Sequence, residues 1–143
     1  MYTIYLAGEI HSNWREEIMK ACTDSSLTFL TPENDHDSSD HIGKNTLEDQ
    51  ESDFYNDHIS AKINSMRSHT YIKRADIVVV KFGEKYKQWN AAFDAGFATA
   101  LGKKLIVIHP DEFTHALKEI DGAASAVVRT ESQVVEILKH LIR

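Results

Sequence analysis

Three stretches of this chain carry side chains that could do chemistry. In the first, Asn90, Asp94 and Phe97 recur at helical spacing and share one face of a helix expected from about Trp89 to Leu101, with Asn90 at or near its cap. A carboxylate in the early turns is held ionised by the positive end of the helix dipole, which suits a nucleophile or a stabiliser of a cationic sugar and suits a proton donor badly. Attack at an anomeric carbon divides one difficult displacement into two steps. Acidic residues are common near helix starts for the same dipolar reason, so spacing alone does not make Asp94 catalytic.

The second stretch is Gly8-Glu9-Ile10-His11-Ser12-Asn13-Trp14-Arg15, behind a short apolar run. A glycine at a strand end lets backbone approach a ligand, and the helix start behind it offers free N–H groups to an anion. Arg15 could add a charge-assisted contact to a phosphate or carboxylate. A plain strand-to-helix turn with a satisfied cap accounts for the run equally well. The third stretch, Asp35-His36-Asp37-Ser38-Ser39-Asp40-His41, contains metal-binding residue types at a spacing that matches no known site, and a charged loop is the better reading. No metal or cofactor is expected. His58, His69, His109 and His115 are scattered, with nothing to pair them. No Ser or Cys triad signature and no phosphate-binding glycine–lysine loop is present.

Alternating strands and helices must position these residues. Apolar, β-branched runs predict strands over 2–7, 27–30, 77–82, 105–108 and 125–128. Helices are predicted from near Trp14 (capped by Ser12 or Asn13), from Phe54 with Ile59, Ile63 and Met66 on one face, over about 89–101 with Gly102 as its stop, over 111–120 and over 131–141. The polar, acidic segment from Pro32 to about Glu51 has no apolar period and reads as a surface loop or lid. The expected fold is a single α/β domain, residues 1–143. It is a five-stranded parallel doubly wound sheet, flavodoxin-like or Rossmann-like, of order 2-1-3-4-5 with helices on both faces. Ligands bind such sheets beyond the carboxyl ends of the strands where the order reverses. Gly8–Asn13, with Glu9 and His11, should therefore face Phe82–Asn90, with Phe82 and Gly83, across a crevice.

Composition narrows the function classes. A net charge of −6 argues against a broad nucleic-acid footprint. Cys22 is the only cysteine, so no intramolecular disulfide can form, and a buried structural thiol is its expected state. The start lacks a signal-peptide pattern, and no run reaches the roughly 20 apolar residues of a membrane span. A cytoplasmic protein is expected.

Tyr5-Leu6-Ala7-Gly8, Ala75-Asp76-Ile77-Val78-Val79-Val80 and the stretch from Asp94 through Val107 together resemble the nucleoside 2-deoxyribosyltransferase-like family. Within it the chain is most similar to the YtoQ branch, on Gln88-Trp89-Asn90-Ala91-Ala92-Phe93-Asp94-Ala95-Gly96. The resemblance implies a nucleoside or nucleotide held at the strand ends, attack on its sugar by a helix-borne carboxylate, and a homodimer or larger homo-oligomer whose site a neighbouring subunit completes. It makes Tyr5 the residue that steadies the nucleophile, although a buried tyrosine with an ordinary partner is the simpler reading of that position. It makes Asp76 a structural hallmark.

The chain departs from the family in two places. Asp94 stands where the family has a glutamate, one methylene longer. Lys87, Gln88, Trp89 and Asn90 replace an Asp-x-Gly-Thr-like turn, and Trp89 is either a stacking platform or a pocket filler. The favoured expectation is an enzyme cleaving an N-glycosidic bond, by hydrolysis rather than transfer. In it Asp94 and Tyr5 are catalytic, Gly8, Glu9, His11 and Arg15 hold the polar end of the ligand, and Phe82, Gly83, Trp89 and Asn90 complete the binding wall. A nucleotide-binding protein without turnover and an oligomeric structural module are the alternatives.

Overall fold

A computed structural model gives the fold, with every residue described except Glu33, Asn34 and Tyr86 and with His36 described by its backbone alone. The parts of the expected acidic loop, metal-like run and Phe82–Asn90 wall that fall on those residues lie outside the described ones. The apolar runs form strands β1 (Tyr2–Gly8), β2 (Leu27–Leu30), β3 (Ile77–Lys81), β4 (Lys104–Ile108) and β5 (Ala126–Val128). All neighbours pair in parallel, in the order β2-β1-β3-β4-β5 expected from the sequence. The register sets Tyr5 beside Val78, Ala7 beside Val80 and Gly8 beside Lys81.

Alternation along the strands sorts the two faces. Ile4, Leu6, Ile77, Val79, Ile106 and Ile108 pack with Trp14 and Ile18 of α1 (Trp14–Ala21) and with Val134, Val135 and Leu138 of α7 (Glu131–Leu141). Tyr5, Ala7, Val78, Val80, Leu105 and Val107 are buried on the other face. There α5 (Trp89–Ala100) packs on β1, β3 and β4 through Ala91, Ala95 and Ala98, whose small side chains let the helix lie close to the sheet. The helix ends as expected, with Gly102 at φ +70° just beyond it.

The chain divides into two compact units, Met1–Thr31 with Ile72–Arg143, and Pro32–Tyr71. The first holds the sheet. The second differs from the expected loop: it contains α2 (His36–Asp40), α3 (Ile42–Leu47) and most of α4 (Asp53–Arg74). Its short helices have little apolar periodicity of their own and are tied to α4 instead. The buried Gly43 donates its N–H to Ser60 Oγ at 3.1 Å, and Asn64 Nδ2 donates to the Ser39 carbonyl at 2.8 Å. On α4, Ile59 and Ile63 are half-buried while Met66 is exposed, so the expected apolar face stops short.

Two further boundaries differ. The segment expected as one helix over 111–120 is a single 3₁₀ turn, Asp111–Phe113, with α6 starting only at Lys118 and running to Ala123. The N-cap of α5 is Gln88, which makes Asn90 the helix's second residue and not its cap.

Candidate active site

The turn after β1 is built against β3. Gly8 sits at φ +103°, and a Cβ there would lie 2.2 Å from the Lys81 carbonyl oxygen, so glycine is required by the neighbouring strand. The Glu9 N–H donates to that same carbonyl at 2.9 Å. The Glu9 side chain is buried, and its carboxylate accepts hydrogen bonds from the His11 N–H and from Ser12 Oγ at 2.5 Å. Gly83 makes room for it, since a Cβ there would come within 2.3 Å of Glu9 Cγ.

Arg15 is placed differently from the expected ligand anchor. It is 2% exposed, its Nε donates to the Leu6 carbonyl at 2.9 Å and its Nη2 to the Gly8 carbonyl at 3.0 Å. The guanidinium also lies 4.8 Å from the centre of the Trp14 ring. From the first turn of α1 its long side chain reaches back to β1 and satisfies carbonyls that the sheet leaves open. Burial pushes its pKa down. Asp76 is structural in a related way: its Oδ2 accepts the Thr3 N–H at 2.8 Å, and its own N–H donates to the Thr3 carbonyl at 2.8 Å.

The expected crevice is present in part. Glu9, His11 and Ser12 share with Phe82, Gly83 and Lys81 the lining of a polar cavity of about 380 Å³ at the strand ends. Its basic groups are engaged: Lys81 Nζ with Glu131, and Arg129 Nε with Asp111 at 2.5 Å. The cavity also reveals a pairing that the sequence reading missed. His109, buried just beyond β4, has Nε2 2.8 and 2.9 Å from the Asp121 carboxylate oxygens and Nδ1 2.7 Å from the Pro110 carbonyl. The one sequence signal for His109 was its place directly after a buried strand, where ligand-facing residues gather. Among the described residues no three His, Cys, Asp or Glu side chains are grouped to hold a metal ion.

Asp94 occupies the second turn of α5. It is half-buried, desolvation raises its pKa from 3.8 to about 6, and among the described residues its carboxylate has no hydrogen-bonding or ionic partner. The sequence reading, in which the helix dipole holds it ionised, is corrected. The dipole's influence fades beyond the first turn, which contains no acidic residue, and burial dominates. Asn90, one turn earlier, shares its flank. Tyr5 is buried and alternates with Ile4 and Leu6, which sets it on the sheet face that α5 covers.

Trp89 does not share that flank. Together with Phe82, Gly83 and Ala92 it lines a cleft of about 610 Å³ whose far wall is formed by Phe113, Leu117 and Ile120. At about 100° per residue, Asp94 and Ala92 project from nearly opposite sides of α5. Asp94 lines neither this cleft nor the polar cavity. The expected site residues are therefore distributed over three surfaces: the polar crevice, the apolar cleft, and the Asp94–Asn90 flank.

The family model for nucleoside 2-deoxyribosyltransferase YtoQ matches residues 5–142. The chain belongs to this family. The YtoQ protein of Bacillus subtilis (strain 168) is 44% identical over 142 residues, spanning 98% of this chain and 96% of that protein. Two solved structures share the fold. A 2-deoxyribosyltransferase from the psychrotolerant bacterium Bacillus psychrosaccharolyticus aligns with a TM-score of 0.55 at 20% identity, over 93% of this chain and 90% of that one. The CMP N-glycosidase of Clostridium botulinum aligns with a TM-score of 0.58 at 12% identity, over 97% and 98%. Among the described residues of this YtoQ-family chain no helix is long and apolar enough to cross a membrane.

Proposed function

We propose that this YtoQ-family protein cleaves the N-glycosidic bond of a small nucleoside or nucleotide, with Asp94 as its working carboxylate. The observation that carries the reading is the half-buried carboxylate of Asp94 on α5, without a partner among the described residues and at the place of the family's helix-borne nucleophile. With a pKa of about 6, roughly nine-tenths of it is ionised at pH 7. One carboxylate oxygen attacks the anomeric carbon, and the C–N bond breaks with its electron pair going to the base, which then takes up a proton. Water attacks the resulting glycosyl ester at the same carbon, releasing the sugar and restoring the carboxylate.

Asn90 meets the sugar from one turn away, and Tyr5 lies on the sheet face that α5 covers. Glu9 and His11 line the polar crevice, a surface apart from the Asp94 flank. Gly8 shapes the turn that carries them. Hydrolysis is favoured over transfer because Lys87-Gln88-Trp89-Asn90 replaces the turn with which the transferases hold their substrate. A neighbouring subunit of a homo-oligomer completes the site.

The test is to incubate the protein with nucleosides and nucleoside monophosphates and follow free base by chromatography, with and without a second base as acceptor. Base release that disappears in Asp94→Ala, with no new nucleoside formed, supports the hydrolase. A new nucleoside turns the assignment to transfer. Ligand-induced thermal stabilisation without release favours the second reading, a nucleotide-binding protein, for which the missing methylene at Asp94 is the specific argument.

A further inference from the structure

We propose that the apolar cleft beside Trp89 is a second ligand site, separate from the Asp94 flank, and that it takes a planar aromatic carboxylate. The proposal goes beyond the glycosidic reaction and does not depend on it. At about 610 Å³ the cleft has the size of small-molecule sites, about 300–1,000 Å³. Phe82, Ala92, Leu117 and Ile120 give it apolar walls. Trp89 lies along it with 75% of its surface exposed, an indole face open to stacking.

The charge at the cleft selects the ligand's other end. Glu84, Lys85 and Lys87 line it, and Lys87 is the cation that stands at the indole. Lys87 Nζ stands 5.5 Å from the centre of the Trp89 ring, so a ring laid on the indole brings its carboxylate to an ammonium already in place. The far wall is held in position as well. Asp121, adjacent to Ile120, is fixed by the buried His109, so α6 is anchored to the end of β4 without a ligand.

Geometry keeps this site apart from the proposed nucleophile. Ala92 faces the cleft while Asp94 leaves α5 on nearly the opposite side, with a helix about 10 Å thick between them.

The probe is 2-naphthoate, titrated against the full chain and read by Trp89 fluorescence and by equilibrium dialysis. The neutral 2-naphthalenemethanol and the non-planar cyclohexanecarboxylate serve as controls. Expected are saturable binding of naphthoate alone, a loss of about tenfold in affinity in Trp89→Ala and about fivefold in Lys87→Gln, and affinity unchanged within about twofold in Asp94→Asn. Dialysis reports on Trp89→Ala, in which the buried Trp14 is the remaining tryptophan. Because Trp89 and Lys87 are exposed, neither change threatens the fold. Absence of saturable binding, or equal binding of either control, overturns the proposal. Loss of binding in Asp94→Asn overturns the separateness of the site, while base release abolished in Asp94→Ala bears only on the enzymatic reading. Conversion of an oligomer to monomers by Trp89→Ala, with no naphthoate bound, would make the cleft an interface between copies and overturn the proposal.

Discussion

Replacing Asp94 by asparagine should stabilise the protein at neutral pH while removing its activity. Burial lifts the carboxyl from an ordinary 3.8 to about 6. At about 1.36 kcal/mol for each pH unit, the charged form therefore costs the folded state about 3 kcal/mol. The sign follows from proton counting. Between about pH 4 and pH 6 the folded chain retains a proton at Asp94 that the unfolded chain has released. Stability from this group is thus complete below about pH 4 and is lost as pH rises through 6. Asparagine cannot ionise, so the advantage of Asp94→Asn should be near zero at pH 4 and approach about 3 kcal/mol by pH 8, worth up to roughly 10 °C in Tm for a domain of this size. Urea unfolding of both proteins, followed by circular dichroism from pH 4 to pH 8.5, measures the difference directly. An asparagine variant no more stable than the parent at pH 8, or a difference independent of pH, would refute the desolvation argument.

Gly8→Ala should cost about 3 kcal/mol or more, because a left-handed backbone and a Cβ only 2.2 Å from the Lys81 oxygen must both be relieved; denaturant midpoints or loss of soluble protein will report it. Arg15→Met should cost about 2–4 kcal/mol by stranding the Leu6 and Gly8 carbonyls. Where that variant remains folded, nucleotide affinity by calorimetry should be unchanged, and a fall in affinity would return Arg15 to the ligand-binding role its sequence position invited.

The sheet was legible because its signals are local. Ile77-Val78-Val79-Val80 can only be a buried parallel strand, Gly8 marks the end of β1, and the spacing of apolar runs gives the winding order. The helices of residues 36–47 were not legible, since their stability comes from contacts to residues some twenty positions on, such as Gly43 to Ser60, and not from a period of their own. The same distance problem hid His109 and Asp121, twelve residues apart and joined only when α6 folds back to the end of β4. Arg15 shows another limit. Its position after a glycine turn announced an anion site, yet a side chain that long reached the open carbonyls of β1 first. Asp94 lies on a helix as its spacing predicts, but its proton affinity is not legible there, because desolvation is a property of the assembled helix and sheet.

The cost of leaving Asp94 without a partner among the described residues argues for what it faces during reaction. Glu9, Asp111, Asp121 and Glu131 all lie near the strand ends, and each is hydrogen-bonded or ion-paired. Asp94 has neither among the described residues, and its raised pKa records the burial of its charge. Breaking a glycosidic bond supplies a positive charge transiently, at the sugar's anomeric carbon, as the base departs. A carboxylate paired in the resting protein would have to surrender its partner to meet that cation. One held unpaired gains its interaction only as the bond breaks, so its electrostatic complement is the transition state and not the bound substrate. The stability sacrificed at neutral pH and the catalysis proposed for Asp94 thus have one physical origin, and Asp94→Asn should change both together.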